Sequence, residues 1–236
     1  MKKIIKIILL LILSNCSRNL DTFQADLGRE TSPFGEIRLP YADIYGYFGF
    51  AKPTNDNSQN QLDPKTTLTE ARAFYVYLWL PQALPELGLR LISPVPKSIE
   101  PSPRDAGDDN FEQNYYQDPK SFFDAWMRIE RCPTIAMPEV VNNQQCSQWV
   151  KLAENDDSKE MPDLPNGIYG NCLMRVASIN DDPLKSISRG LYRIAIGADK
   201  NNKLFGSFLL QVGAPVELNG LAMARSTEEL HKIITK

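Results

Sequence analysis

The side chains that could do chemistry are mostly carboxylates. Asp124 stands near the start of the alternating stretch Phe122 to Arg131, and a second acidic cluster, Glu154-Asn155-Asp156-Asp157, follows it in the chain. Carboxylates are hard oxygen donors, and calcium takes about six to eight such oxygens. A strand-anchored carboxylate facing an acidic loop is how an all-β domain can hold a hard cation. Other chemistries have less to work with. The single histidine, His231, follows Ser226-Thr227-Glu228-Glu229, which resembles a capping box opening a short exposed helix. No Ser-His-Asp or Cys-His arrangement can be assembled elsewhere. Asp156 and Asp157 are paired carboxylates fit in principle for acid–base work, but no nucleophile motif accompanies them. The expectation is a protein that is not an enzyme. Asp105, Asp108 and Asp109 look similar in composition and are read as surface.

These side chains need elements to position them. Read with a period of two, Phe123, Ala125, Met127 and Ile129 form one apolar face of a half-buried strand over 122–131. The other face carries Asp124, Trp126, Arg128 and Glu130, with Arg128 and Glu130 placed for a solvated ion pair. Further strands are expected over 39–50 (bent at its glycines), 71–80, 88–92, 172–179, 189–197 and 204–212. Asp199-Lys200-Asn201-Asn202 reads as a hairpin turn between the last two. Helical turns are expected over Gln82 to Leu87 and around Glu139 to Val150, a loop over 153–167, and a long exposed excursion over 93–120. Tyr41, Tyr45, Tyr47, Tyr75, Tyr77 and Trp79 read as core and sheet-edge residues. Seven or so strands separated by turn signals predict a mainly β fold, a jelly roll or β-sandwich with short peripheral helices and long loops.

The N-terminus decides the compartment. Lys2, Lys3 and Lys6 precede an apolar run through Leu13, and Ser14-Asn15-Cys16 follows. A basic start, a short apolar core and small residues describe a secretory signal. Leu13-Ser14-Asn15-Cys16 resembles a bacterial lipobox, which makes Cys16 the expected lipidation site and the first residue of the mature chain. The expected organisation is a signal peptide over 1–15, a tether over 16–38 and one domain over 39–236. Removing residues 1–15 leaves 23 basic against 29 acidic side chains, a formal charge of −6 in place of −3. That balance argues against nucleic acid, which selects basic faces. Cys132, Cys146 and Cys172 allow one disulfide and one free thiol; Cys132–Cys146 and Cys146–Cys172 both remain open. Their spacing matches no zinc site.

Several blocks resemble the calcium-binding surface lipoproteins of leptospires. They are Leu39-Pro40-Tyr41 with Tyr45-Gly46-Tyr47, Tyr75 to Pro81, Glu86 to Pro94, Phe123 to Arg131, Arg189 to Ile194, Gly206-Ser207-Phe208 and Glu228-Glu229-Leu230. They fall in order over nearly the whole mature chain. The resemblance implies a jelly-roll domain, lipid-anchored in the outer membrane and facing either the surface or the periplasm. It also implies a bound calcium ion and adhesion to host extracellular-matrix proteins, with a homo-oligomer among the partners it allows. The alternative is a structural lipoprotein without metal or ligand. Carried over residue by residue, the family's calcium ligands fall on Asp124, Asp156, Asp157 and Tyr169, the last offering a carbonyl. The family's threonine beside the first aspartate is Ala125 here, and its aspartate run is thinned to Ala153-Glu154-Asn155-Asp156-Asp157.

Overall fold

The computed structural model describes residues 30–32, 35–37, 41, 43–52, 73–141, 146–179, 181–198 and 204–236. The signal peptide, Cys16 and the turn at 199–202 lie outside these. The first described elements, β1 (Glu30–Ser32) and β2 (Gly35–Ile37), pair antiparallel within the stretch read as tether.

Two five-stranded sheets form the domain. One has the order β12 (Ala222–Ala224), β4 (Phe74–Leu80), β10 (Gly190–Ala198), β7 (Ala125–Arg131), β8 (Val150–Asn155). The other has the order β6 (Ala106–Gly107), β3 (Asp43–Ala51), β11 (Gly206–Ala214), β5 (Glu86–Ile92), β9 (Cys172–Ala177). Every pairing is antiparallel except β3 with β6. The sheets pack face to face, and the period-two patterning of the chain explains which side chains meet. Val76, Leu78 and Leu80 of β4, Met127 and Ile129 of β7 and Ile194 and Ile196 of β10 face Leu87, Leu89 and Leu91 of β5 and Phe208, Leu210 and Val212 of β11. The sheets approach each other at both edges, β8 against β9 and β6 against β12. This is the expected sandwich.

Several local expectations change. β10 and β11 are not a hairpin, because they lie in different sheets. In this topology most connections between successive long strands cross from one sheet to the other, so adjacency in sequence is a poor guide to pairing. β3 runs unbroken through its glycines. Gly49 serves close packing instead of a bend: a Cβ there would lie 2.2 Å from the Phe208 ring of the neighbouring strand. Residues 150–155, expected as helix end and loop, are strand β8 on the edge beside β7. Among the described residues, the helical content near them is one 3-10 turn, Pro138–Val140. Residues 81–85 carry bends and no helix.

The outer faces of the sheets are covered too. The excursion after β5 folds back with α1 (Phe111–Gln117), so that Val95 and Phe111 bury Phe48, Phe50 and Leu209. It is therefore partly packed, where exposure was expected. Arg128 and Glu130 are likewise buried, at 4% and 5% exposure, in place of the solvated pair. Glu130 lies between two cations: Arg193 donates Nε–H to its Oε2 at 2.5 Å, and Arg128 Nε stands 3.2 Å from Oε1, too far off line to form a hydrogen bond. Above them Arg193 stacks on Trp149 and Tyr75, and Arg128 on Trp126. Aromatic faces and a shared carboxylate are what allow this charge to leave water. The six aromatic residues read as core or sheet edge do pack there. The C-terminal helix α2 (Thr227–Ile234) begins as expected, with Ser226 Oγ accepting from Glu229 N at 3.2 Å. His231 is half-buried, its Nδ1 3.1 Å from the Pro138 carbonyl.

Candidate functional site

The acidic loop has a definite place in this topology. β8 ends one edge of the first sheet and β9 ends the same edge of the second, so residues 156–171 are the crossover between the sheets. Asp156 and Asp157 begin it, Tyr169 lies near its end, and Asp124 immediately precedes β7 beside it. One seam thus gathers all the residues that sequence reasoning separated by tens of positions.

Neutral side chains hold this seam. Asn155 Nδ2 donates to the Leu173 carbonyl at 3.0 Å and to Ser158 Oγ at 2.9 Å, while Ser158 Oγ accepts from Leu173 N at 2.9 Å. Ser158 N completes the clamp on the Asn171 carbonyl at 3.1 Å. Asn171, buried, donates to the Pro162 carbonyl at 2.8 Å and accepts from Ser93 N at 2.8 Å. Ser93 Oγ in turn donates to the Ser207 carbonyl at 2.8 Å and accepts from Phe123 N at 3.2 Å, which places the residue just before Asp124. Such a network is satisfied at nearly every atom, and satisfied buried networks rigidify what they hold. These residues escaped the sequence reading because Ser and Asn are common in surface loops. Their only cue is that Asn155, Ser158 and Asn171 bracket the acidic cluster.

Asp124 is half-buried and Asp156 and Asp157 are exposed. Gly170 packs on the first of them: its carbonyl accepts from Ala125 N at 2.8 Å, and a Cβ added to it would meet Asp124 Oδ1 at 2.8 Å. Asp156 Oδ1 turns back to accept from Asp157 N at 2.8 Å. At the centre sits Cys172, fully buried and free. Its Sγ lies 2.7 Å from the Ala125 carbonyl and also contacts the Asp156 carbonyl. Burial pushes this thiol well above its ordinary range, and the nearby charges of Asp156, Asp157 and Asp124 push it further in the same direction. Tyr169 is half exposed on the loop that Leu164 N closes onto the Ile168 carbonyl at 2.9 Å.

The oxygen chemistry suits a hard cation: three carboxylates and two carbonyls, without an imidazole. Among the described residues, however, no three His, Cys, Asp or Glu side chains are gathered closely enough to hold an ion. The thiol of Cys172 is a soft group set on the carbonyls of Ala125 and Asp156.

The disulfide lies away from this seam. Cys132 and Cys146 are joined across 14 residues, with their Cα atoms 5.8 Å apart, which resolves the two pairings left open and leaves Cys172 unpaired. The aspartates read as surface also have work in the fold. Asp105 Oδ1 accepts from Gly46 N at 2.6 Å, and Asp108 accepts from Tyr47 Oη at 2.7 Å and Phe50 N at 3.2 Å. They fasten the excursion after β5 to β3. Asp109 alone of the three is exposed.

The family model Lipl32, a surface lipoprotein of the Spirochaetales order, matches residues 35–223, which span both sheets and the seam. Among curated proteins, none matches the chain.

Proposed function

We propose, from the premise that this chain belongs to the Spirochaetales surface lipoprotein family, that it is an outer-membrane adhesin-type module stabilised by calcium. It is held by lipid on Cys16 and recognises extracellular ligands, host-matrix proteins among them. No catalysis is ascribed to it. The observation that supports calcium is that the Cys172 thiol touches both the Ala125 and the Asp156 carbonyls, which sets the backbone next to Asp124 beside that of Asp156 and Asp157 at the seam between the sheets. Asp124, Asp156 and Asp157 would hold the ion, with the Tyr169 and Ala125 carbonyls completing the oxygens. Ala125 brings no hydroxyl to the set, and the thiol on its carbonyl competes for one donor, so binding is weak and belongs to the range of extracellular calcium modules.

A ligand that binds the native state alone stabilises it by about 2.7 kcal/mol at a hundredfold excess over its Kd. For a domain of this size that is a rise of about 5–10 °C in melting temperature. The rise is expected with calcium and not with magnesium, and Asp156→Asn with Asp157→Asn removes it while leaving the calcium-free melt unchanged. A melting temperature that stays flat up to about millimolar calcium would instead favour the structural lipoprotein without metal.

A further inference from the structure

The sandwich has two unlike ends, about 30 Å apart along a nine-residue strand. One carries the acidic crossover. The other collects residues 81–85, 178–179, 181–189 and 215–221, and it is also where the N-terminal chain joins the sandwich at Asp43, the first residue of β3. Hydrogen bonds weld these loops into one surface. Leu84 N donates to the Ile187 carbonyl at 2.9 Å, Ser178 N to the Pro85 carbonyl at 2.8 Å, and Gln82 Nε2 to the Glu217 carbonyl at 2.9 Å. Arg131 Nη1 adds bonds to the Pro183 carbonyl at 2.6 Å and the Ser186 carbonyl at 3.0 Å. Leu218 N donates to Asp43 Oδ2 at 2.9 Å, so the chain joins the fold against the loop that carries Val216.

This welded surface presents aliphatic tips to solvent. Ile179 is 43% exposed, Leu184 51% and Val216 38%. Exposed aliphatic residues on a rigid, hydrogen-bonded platform are not needed by the core. Its charges, Asp181, Asp182, Glu217, Lys185 and Arg189, are of both signs. The opposite end also exposes Ile168 and Tyr169, each at 50%, but sets them among Asp156, Asp157, Glu160 and Asp163 against Lys159, a net acidic set that loses hydration if pressed onto lipid.

We infer that the end bearing Ile179, Leu184 and Val216 rests on the phospholipid surface, so that the acidic crossover points away from the membrane. The inference deepens the lipid-anchored reading and rests on it. The tether alone is long enough to let the domain tumble. Three aliphatic tips beside the point where the tether joins add a second, weak membrane contact that selects one orientation. Mixed charge makes the contact independent of anionic lipid.

The test uses the acylated chain in phosphatidylcholine vesicles, with a fluorophore on Ala83→Cys at the apolar end or Asp163→Cys at the acidic end. Lipids spin-labelled near the headgroup are expected to quench the Ala83 label about threefold more than the Asp163 label, as a surface-seated end requires. With Ile179→Ser, Leu184→Ser and Val216→Ser together, this contrast is expected to disappear while the exposed sites leave folding intact. Equal quenching in the unmodified chain, the reverse order, or a contrast untouched by the serines overturns the inference. The same measurement on a chain whose residues 1–15 are replaced by a polyhistidine tag, with Cys16→Ala, on nickel-chelating lipid separates it from the anchor. If the native chain does not enter the detergent phase while the tagged one still orients, the acyl anchor on Cys16 has failed and the apolar end stands.

Discussion

Asp108 and Asp109 are neighbours of the same type with opposite roles. Asp108 accepts hydrogen bonds from Tyr47 Oη and Phe50 N, whereas Asp109 faces solvent. Removing an acceptor strands two donors, one of them on a tyrosine only 1% exposed. Asp108→Ala is expected to cost about 1–3 kcal/mol in urea unfolding, and Asp109→Ala less than about 0.5 kcal/mol. Equal effects would contradict the assignment. Composition marked both as acidic loop residues and went no further, because a carboxylate's role depends on which backbone amides the fold brings to it. The same holds for Arg128 and Glu130. Their spacing on one strand face was legible, with Trp126 beside them, but Trp149 and Tyr75, on which Arg193 stacks above Glu130, come from other parts of the chain.

At the scale of elements, the disulfide illustrates what a single bond holds. It spans the 3-10 turn at Pro138–Val140 and links the end of β7 to the approach to β8, closing the segment against which α2 packs. A loop of about 15 residues closed by a disulfide contributes about 3 kcal/mol. Cys132→Ser with Cys146→Ser is expected to lower urea stability by about that amount, with faster hydrogen exchange concentrated in β8 and α2. A loss spread evenly over both sheets would argue that the bond supports the whole sandwich. The calcium response is expected to survive, because the seam at 156–171 is held by Asn155, Ser158 and Asn171 at the far end of β8. The strand over 122–131 was readable from period two and that over 71–80 from its apolar run, whereas Glu86 and Leu87, read as helical turn, belong to the strand expected over 88–92. β8 was not readable, since an edge strand with a register shift between Ile129 and Glu130 keeps no clean alternation.

The whole molecule encloses an unusual number of weak acids. Burial raises Tyr41, Tyr47, Tyr75, Tyr77 and Tyr192 above the ordinary tyrosine range, and Cys172 above its ordinary 9.0. A group whose folded pKa exceeds its unfolded one keeps its proton longer in the folded state. Its stabilisation is complete below the unfolded value and is lost as pH rises beyond it. The melting temperature is therefore expected to decline from about pH 9 upward, in step first with cysteine and then with tyrosine titration in the unfolded chain. Cys172→Ser is expected to remove the earliest part of that decline. Equal stability at about pH 8 and pH 11 would show that these side chains reach water.

Export, charge class and the mainly β architecture follow from local properties: a basic and apolar leader, a count of charges, and alternation along strands. Those are written in neighbouring residues and need no fold to read. Where Asp124 stands relative to Asp156 and Asp157 is a different kind of fact. It depends on β7 and β8 sharing one sheet, on β9 lying in the other, and on the crossover closing the seam over Cys172. The pairing of Cys132 with Cys146 and the placing of Ile179, Leu184 and Val216 at one end of the sandwich are of that kind as well. Pairing across sheets is a long-range choice made by packing, and the period of a strand carries no information about its partner.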